Sequence, residues 1–282
     1  MLRYDREVSH PFISFLTDFG PDGHAPICRG VMLGIAPDAQ IVDIAHGVRK
    51  YAIRDGAYLL WCALPYLPVG THVAVVDPGV GTERMPIALR TGRGDVLVGP
   101  NNGLLLPAAE RLGGLTEARI LDNRALWLPT ATSSTFHGRD IFSPVAAHLA
   151  SGTPFEEVGA ALPVDALVRL DFPRPTVASG ELRTAVQYID SFGNVSLAGD
   201  ASDLGAALGA LNDGRRLGLE IGSESGSRRA TATWERTFAR VALGATLLFE
   251  DSFGQLALAD NQGDVASRLG LAVDQAVIVR AV

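Results

Sequence analysis

Cysteine is scarce in this chain, which contains only Cys28 and Cys62 among its 282 residues. Neither cysteine lies in a C-x-x-C pair or in a Cys/His spacing typical of zinc ligands. The sequence therefore argues against a disulfide framework and against a structural zinc site. Scarce, unpatterned cysteine is typical of proteins from a reducing compartment, and we expect a cytoplasmic protein.

Long apolar runs and basic clusters are also missing. No run approaches the roughly 18 apolar residues that a membrane-spanning helix needs, and residues 1–8 lack the apolar segment of a signal peptide. The formal net charge is −7 and no block of Lys and Arg occurs, whereas a nucleic-acid-binding surface needs clustered positive charge. We therefore expect a soluble protein that binds neither membranes nor nucleic acid.

Three common catalytic signatures are absent. The chain has no G-x-S-x-G nucleophile elbow, no H-E-x-x-H zinc motif and no Gly-Lys-Ser/Thr phosphate loop. These absences disfavour a serine hydrolase, a metallohydrolase and a P-loop enzyme. The segment Thr17-Asp18-Phe19-Gly20 is similar to the metal-binding tripeptide of protein kinases, but it begins too early to follow the kinase glycine-rich loop and catalytic loop.

The chain does contain an alternation of strand-length and helix-length apolar segments up to about residue 160. Strands are predicted at residues 12–16, 41–44, 73–76 and 96–98, and helices at residues 51–64, 104–112 and 143–150. Such alternation indicates a mostly parallel sheet with helices on its faces. We therefore predict an α/β domain over residues 1–165.

Short β-like runs dominate the second part of the chain. They lie at residues 184–189, 216–221, 246–249, 255–258 and 276–279, with Gly, Asn and Asp between them. This spacing predicts a smaller all-β, barrel-like domain over residues 181–282. Proline and charged residues just before it predict a linker over residues 166–180.

Titratable residues accumulate at three junctions of the predicted α/β domain. Asp18 follows the first strand, Asp77 and Arg84 bracket the loop after the third, and His137 precedes the helix at residues 143–150. Open α/β proteins bind ligands at the carboxyl ends of their parallel strands, so these groups are candidates for one site. Simpler interpretations stay open: a turn cap, a surface salt bridge and a hydrogen-bonding residue at a helix end. Gly138 favours a site, because it lets a ligand approach the backbone.

Two turns of the predicted β domain are similar in composition. Residues 190–194 read Asp-Ser-Phe-Gly-Asn, and residues 251–254 read Asp-Ser-Phe-Gly. Both patterns are typical of tight turns. A functional interpretation also exists, because Asp190, Phe192 and Asn194 together offer a carboxylate for an ammonium group, a ring for a purine and an amide for its edge.

Six segments together resemble the S-adenosyl-L-methionine hydroxide adenosyltransferase family, which is related to fluorinating and chlorinating enzymes. They are residues 15–20 (FLTDFG), 41–46 (IVDIAH), 75–82 (VVDPGVGT), 99–105 (GPNNGLL), 135–140 (TFHGRD) and 189–194 (IDSFGN). The resemblance implies an N-terminal α/β domain and a C-terminal β-barrel. It also implies a homotrimer with its sites at the subunit interfaces.

The resemblance implies a role for each candidate residue. Asp77, Arg84 and His137 correspond to the set associated with water activation, and Asp18 to the carboxylate that holds the ribose hydroxyls. The other positions implied to contact substrate are Phe136, Gly138, Asp190, Phe192, Asn194 and Ser252. The implied reaction is hydrolysis of S-adenosyl-L-methionine (SAM) to adenosine and L-methionine by attack at ribose C5′, with no metal or other cofactor.

Asp77 and His137 are expected to have different roles in catalysis. Pairing with Arg84 makes Asp77 a weak base, so we expect Asp77 to orient the water and His137 to accept or relay its proton. Two alternatives stay open. Chloride is one alternative nucleophile, since Gly138 leaves room for an anion. The other is a non-catalytic sensor of SAM or a nucleoside, against which the joint presence of all three catalytic candidates weighs.

Overall fold

The chain folds into two compact units, Met1–Leu170 and Asp171–Val282. A computed structural model describes residues 11–129, 133–223 and 226–282. Residues 1–8, which the sequence predicts to lack the apolar segment of a signal peptide, lie outside the described residues. Within them, none of the helices combines the length and the apolar character that a bilayer span requires. Both cysteines are free and buried.

The first unit is built on a six-stranded sheet. Its strands are β1 (Phe12–Thr17), β2 (Gln40–Ala45), β3 (Thr71–Val75), β4 (Pro86–Thr91), β5 (Val96–Pro100) and β6 (Leu115–Ile120). Their order in the sheet is β2-β1-β3-β5-β4-β6. The first four in this order run parallel to one another, whereas β4 runs antiparallel to β5 and β6. The predicted α/β domain with a mostly parallel sheet is confirmed.

Four α-helices accompany this sheet. They are α1 (His24–Ile35), α2 (Ile53–Ala63), α3 (Leu106–Arg111) and α4 (Ser143–Ala150), and a π-helical turn at Gly138–Phe142 leads directly into α4. Helix α1 buries Ala25, Cys28 and Met32, which lie at the spacing of one helical face. Helix α2 begins later than predicted, because Tyr51 has a left-handed backbone conformation with φ of 66°.

The second unit is a closed β-barrel with two short helices. Its strands are β7 (Thr176–Ala178), β8 (Glu181–Ile189), β9 (Val195–Leu197), β10 (Arg215–Ser223), β11 (Gly226–Trp234), β12 (Thr246–Glu250), β13 (Leu256–Asp260) and β14 (Ala276–Ala281), and its helices are α5 (Ala201–Leu208) and α6 (Val265–Leu269). Pairing runs β14-β10-β11-β12-β13-β9-β8 and returns from β8 to β14, which closes a ring of seven strands. The predicted barrel is confirmed. Strand β7 lies in the stretch predicted as a linker and pairs with β8.

The barrel core follows from the alternation along its strands. In β10, for example, Leu217, Leu219 and Ile221 are buried while the residues between them are more exposed. Side chains in a strand point alternately to the two faces of the sheet, so the apolar set faces the barrel interior. The alternate residues of the strand, Arg216 and Glu220 among them, therefore lie on the outer face.

A buried polar network ties three strands of the first unit together. The Ser14 hydroxyl lies 2.8 Å from Nδ1 of His72, whose Nε2 lies 2.9 Å from Oδ1 of Asp95. Arg93 donates from Nε to Oδ2 of Asp95 at 2.7 Å. The members match those of a hydrolase triad, but the ring nitrogens are exchanged relative to that geometry and Ser14 is fully buried. The network is therefore structural.

The protonation states of this network follow from its burial. Burial lowers the pKa of His72 and keeps the imidazole neutral, so Nε2 donates to Asp95 and Nδ1 accepts from Ser14. Burial opposes ionisation of Asp95, but hydrogen bonds from His72 and Arg93 outweigh it and hold the pKa at about 2. The pKa of His72 and the pKa of Asp95 are therefore both lower in the folded protein than in the unfolded chain. The resulting stability is complete above pH 6.5 and is lost progressively on acidification, first through His72 and then through Asp95.

Replacement of Asp95 by Asn should lower the free energy of unfolding by roughly 3–5 kcal/mol, because His72 and Arg93 lose their charged partner in a buried setting. Urea denaturation at neutral pH measures the change. The matched control is Glu110→Gln, which removes the exposed ion pair with Arg169 and should cost no more than about 1 kcal/mol. Equal losses in the two variants would contradict the importance of the buried network.

Candidate active site

Asp77 and Arg84 form a buried bidentate ion pair at one edge of the sheet. Asp77 lies just beyond β3 and Arg84 just before β4. Arg84 donates from Nε to Oδ1 of Asp77 at 3.2 Å and from Nη2 to Oδ2 of Asp77. The side chain of Arg84 is 7% exposed and that of Asp77 is 4% exposed. A buried ion pair, and not a surface salt bridge, therefore joins the two ends of the loop between β3 and β4.

His137 completes a contiguous set with this pair. Its Nδ1 lies 3.1 Å from Nη2 of Arg84. A guanidinium group only donates, so Nδ1 must carry the lone pair and the proton of the neutral ring must be on Nε2. Burial and the nearby positive charge of Arg84 both lower the pKa of His137, in that order. The imidazole is therefore neutral near pH 7, with its N–H on the side away from Arg84.

Arg84 retains one unused donor in this arrangement. Its Nη1 is buried and has no hydrogen-bond partner among the described residues. Its guanidinium carbon lies 5.3 Å from the ring centre of Phe142, the last residue of the π-helical turn. A buried donor without a partner costs free energy, so Nη1 is available to an acceptor atom of a ligand.

The loop between β3 and β4 is shaped by tight local contacts. The hydroxyl of Thr82 donates to the carbonyl of Gly79 at 2.7 Å. Gly81 has φ of 80°, and a Cβ at this position would lie 2.7 Å from the backbone oxygen of Ser134. The loop thus packs directly against the segment that carries His137. Glycine is required at position 81 both for its backbone conformation and for this close approach.

Asp18 lies immediately after β1. Its Oδ2 accepts a hydrogen bond of 2.9 Å from the backbone N–H of Tyr51. The neighbouring Thr17 places its hydroxyl 2.9 Å from Nδ1 of His46, beyond the end of β2. Asp18 thereby joins the end of β1 to the segment before α2. The contact is long-range and not the cap of a local turn, and it leaves the carboxylate further lone pairs for a ligand.

An aromatic ring, and not an open space for an anion, lies beside Gly138. A Cβ on Gly138 would lie 2.8 Å from Cζ of Phe19 and 3.4 Å from Cε2 of Phe136. The two phenylalanine rings lie 5.7 Å apart in an edge-on arrangement. Gly138 is therefore explained by packing: the absence of a side chain admits the ring of Phe19.

In the barrel unit, the two similar turns have the same hydrogen-bonding pattern. Asp190 accepts at Oδ1 from the backbone N–H groups of Phe192 and Asn194, both at 2.9 Å, and at Oδ2 from the Asn194 amide at 2.9 Å. Asp251 accepts in the same way from Phe253 and Gln255 at 2.8 and 3.0 Å. Both aspartates thus fix their turns. Ser252 is exposed within the second turn.

The first of these turns borders a cavity of about 480 Å³, which we call the aromatic cavity. Its lining residues are Phe192, Asn194, Phe238, Asp260, Gln262 and Gly263. Phe192 is 75% exposed, and Phe238 is held by an edge-on contact with Phe249 at 5.3 Å. Two rings and an amide around one cavity suit a flat heteroaromatic ligand.

The structure brings part of the predicted set together within each unit. Asp77, Arg84 and His137 are in direct contact in the first unit, as Asp190 and Asn194 are in the second. Sequence reasoning missed Phe238, Asp260 and Gln262, which reach the aromatic cavity from separate segments. The left-handed φ of 57° at Gln262 belongs to a turn that Asn261, Gly263 and Asp264 indicate, but the turn sequence does not indicate a cavity.

Asp260 is the charged group of the aromatic cavity. It accepts from Nε of Arg268 at 2.6 Å and from the Thr246 hydroxyl at 2.7 Å. Burial favours its neutral form, but the hydrogen bonds from Arg268 and Thr246 outweigh burial and lower its pKa. Over the described ranges, no group of three or more His, Cys, Asp or Glu side chains is arranged to hold a metal ion.

Comparison with known proteins gives consistent matches over both units. The model of the SAM hydroxide adenosyltransferase N-terminal domain matches residues 13–159, and that of the C-terminal domain matches residues 184–278. An (R)-S-adenosyl-L-methionine hydrolase from Salinispora tropica is 44% identical, covering 93% of this chain and 94% of that protein. A fluorinase from an Actinoplanes species is 30% identical, covering 91% and 93%. The crystal structure of an uncharacterized conserved protein from Thermotoga maritima has a TM-score of 0.87 at 33% identity, covering 95% and 99%.

Replacement of Gly138 by Ala should destabilise the fold by roughly 1–3 kcal/mol, because the new methyl group overlaps the ring of Phe19. Thermal unfolding measures the change, and adding Phe19→Leu to Gly138→Ala should recover part of the loss. Gly30→Ala is the control: no heavy atom lies within 4 Å of a Cβ at that position of α1, so the helix should gain up to about 1 kcal/mol. A Gly138→Ala protein as stable as wild type would refute the packing explanation.

Proposed function

The chain belongs to the SAM hydroxide adenosyltransferase family, and from that premise we propose that it hydrolyses S-adenosyl-L-methionine to adenosine and L-methionine. The observation that carries the proposal is the buried Asp77–Arg84 pair with a neutral His137 held at its edge. The 44% identity to an (R)-S-adenosyl-L-methionine hydrolase over most of both chains supports the same reaction.

The reaction is a direct displacement. Water attacks ribose C5′ as the C5′–S bond breaks, the sulfonium leaves with the bonding electrons as the neutral thioether of methionine, and the water loses one proton. Because the leaving group departs uncharged, we propose that the enzyme needs no metal or other cofactor. Its task is to place water in line with the C5′–S bond, and well-oriented reactions reach effective molarities of about 10⁵–10⁸ M.

The tautomer of His137 determines how we assign the proton. With Nδ1 occupied by Arg84, His137 can donate from Nε2 but cannot take up a proton without losing that hydrogen bond. Asp77 keeps free lone pairs on both oxygens while Arg84 fixes its plane. We therefore propose that Asp77 orients the water and that His137 holds the water oxygen, in place of the sequence-based expectation that His137 accepts or relays the proton. Pairing with Arg84 makes Asp77 a weak base, so we propose that Asp77 receives the proton only as the C5′–O bond forms, when the attacking oxygen becomes strongly acidic.

Substrate recognition is divided between carboxylate and aromatic groups. Asp18 is proposed to accept hydrogen bonds from the ribose hydroxyls, with Tyr51 fixing one of its oxygens. Phe192 and Phe238 offer rings to the adenine. The Asn194 amide nitrogen is engaged by Asp190, so its oxygen remains to accept from the adenine amino group. Phe136, Gly138, Asp190 and Ser252 remain proposed substrate-site residues on the strength of the resemblance.

We also propose that the protein is cytoplasmic and forms a homotrimer with its sites at the subunit interfaces. The scarcity of cysteine supports the location. The family resemblance supports the assembly, and so does the division of the proposed site residues, with Asp77 and His137 in one unit and Asn194 in the other. A cyclic trimer closes without leaving an unsatisfied interface.

The purified protein should release adenosine and methionine from SAM in equal amounts. In heavy-oxygen water the label should enter the adenosine 5′-hydroxyl, as attack at carbon requires. Asp77→Asn should lower kcat by about a hundredfold or more with little change in KM, because orienting water matters mainly in the transition state. Glu110→Gln serves as the carboxylate control and should keep full activity.

Three outcomes of this assay would contradict the proposal. Formation of 5′-chloro-5′-deoxyadenosine as the main product in chloride buffer would identify a halide adenosyltransferase. Binding of SAM without turnover would identify a sensor. Label in a position other than the 5′-hydroxyl would exclude direct displacement.

Mixing two inactive variants tests the shared site. Asp77→Asn and Asn194→Ala proteins, allowed to exchange subunits, should regain part of the activity, since some mixed sites receive both intact halves. Light scattering on the wild type should give about three times 29.7 kDa. A fully active monomer, or no recovery despite demonstrated exchange, would reject the shared-site assembly.

A further inference from the structure

The outer face of the barrel carries a second cavity, of about 500 Å³, which we call the arginine cleft. Its lining residues are Arg216, Arg229, Ala230, Thr231, Thr233, Gly244, Ala245, Thr246, Arg268 and Leu269. Three guanidinium groups and three threonines therefore face one concave surface. No residue of the proposed active site lines this cleft.

Strand register explains why these side chains converge. In the antiparallel β10–β11 pair, Arg216 lies opposite Thr233 and Gly218 lies opposite Thr231. Residues opposite each other in such a pair share a face of the sheet, so Arg216 and the two threonines project together. The arginine and threonine side chains of the cleft are thus placed by β10, β11, β12 and α6.

The charges of the cleft are incompletely balanced. Arg268 is paired with Asp260. Glu220, on the same outer face, bonds to Arg280 and interacts electrostatically with Arg229. Among the described residues, the side chain of Arg216 has no hydrogen-bond or ion-pair partner. A protein with a formal net charge of −7 therefore concentrates positive charge at one concave site.

The arginine cleft is a separate site from the aromatic cavity, although the two share a wall. Asp260 lines the aromatic cavity, whereas its partners Arg268 and Thr246 line the arginine cleft. Arg268 also donates from Nη2 to the Thr246 hydroxyl at 2.6 Å. This hydrogen-bonded set fixes Arg268, so the guanidinium is held in place before a ligand arrives.

We propose that the arginine cleft binds a phosphate-bearing small molecule. The planar guanidinium fork matches phosphate oxygens in pairs, and threonine hydroxyls add neutral donors. Two arginines without a tight carboxylate partner and the hydroxyls of Thr231 and Thr233 offer more donors than the two oxygens of a carboxylate accept, whereas a terminal phosphate presents three oxygens. The Thr246 hydroxyl already donates to Asp260. The volume lies within the range of about 300–1,000 Å³ that is typical of small-molecule sites.

Calorimetric titration of the intact protein with ribose 5-phosphate tests the proposal at low ionic strength, and it needs no enzymatic activity. The wild type should bind with one site per chain. The double variant R216Q/R229Q should bind about tenfold or more weakly, because it loses both forks. The matched control is Arg236→Gln, which removes an exposed barrel arginine paired with Asp213 outside the cleft, and its affinity should equal that of the wild type.

A parallel titration with inorganic phosphate identifies the source of the ligand. Tighter binding of ribose 5-phosphate assigns an organic phosphate, and equal binding assigns the free ion. The proposal is overturned if the wild type binds neither probe, if R216Q/R229Q binds as well as the wild type, or if Arg236→Gln weakens binding as much. Circular dichroism checks the fold, and the single variants replace the double variant if it does not fold.

Discussion

The buried pairing of Asp77 with Arg84 is the constraint around which the first unit is arranged. Removing two charges from water costs several kcal/mol for each ion, and only good geometry with further hydrogen bonds offsets that cost. The bidentate contact between Asp77 and Arg84 supplies the geometry. Nδ1 of His137 accepts a further hydrogen bond from Nη2 of Arg84. The ends of β3 and β4 must therefore hold these two side chains in one orientation.

Several local features follow from that requirement. Gly81 lets the loop approach the backbone of Ser134, so the loop and the His137 segment are packed as one piece. The π-helical turn Gly138–Phe142 then places a buried aromatic ring beside the guanidinium. Wide turns of this kind occur often at functional sites. Each feature is locally uncommon, and each helps to position the Asp77–Arg84 ion pair.

The sequence predicted the architecture where its periodicity was strong. Strands β1, β2, β3 and β5 were found because their apolar runs are bounded by turn residues. Helix α1 was missed because Pro26, Gly30 and Gly34 interrupt its pattern, although its buried residues keep helical spacing. Strand β11 was missed because its first residues are exposed and polar, and only its later positions enter the core.

Prediction of the site depended on how local its contacts are. The pairing of Asp77 with Arg84 is expected from the sequence, since only a glycine-containing loop of six residues separates them. The tautomer of His137 could not be predicted, because it depends on a contact with Arg84, which lies 53 residues earlier in the chain. Phe238 and Asp260 meet beside β12, where Phe238 contacts Phe249 and Asp260 lies opposite Thr246, and the sequence around either residue carries no sign of the other. Composition also gave no reason to place a ring beside Gly138.

Closure of the barrel has a consequence for synthesis. Strand β8 pairs with β7 and β9 nearby in the chain, but its other edge pairs with β14, where Thr184 lies opposite Val277. At about 5–20 residues per second, a ribosome needs on the order of ten seconds to make the intervening segment. During that interval the nascent chain carries an unpaired strand edge, while most of the first unit has already left the exit tunnel. The duration of this exposure is therefore set by the distance along the chain between β8 and β14 and not by the length of the protein.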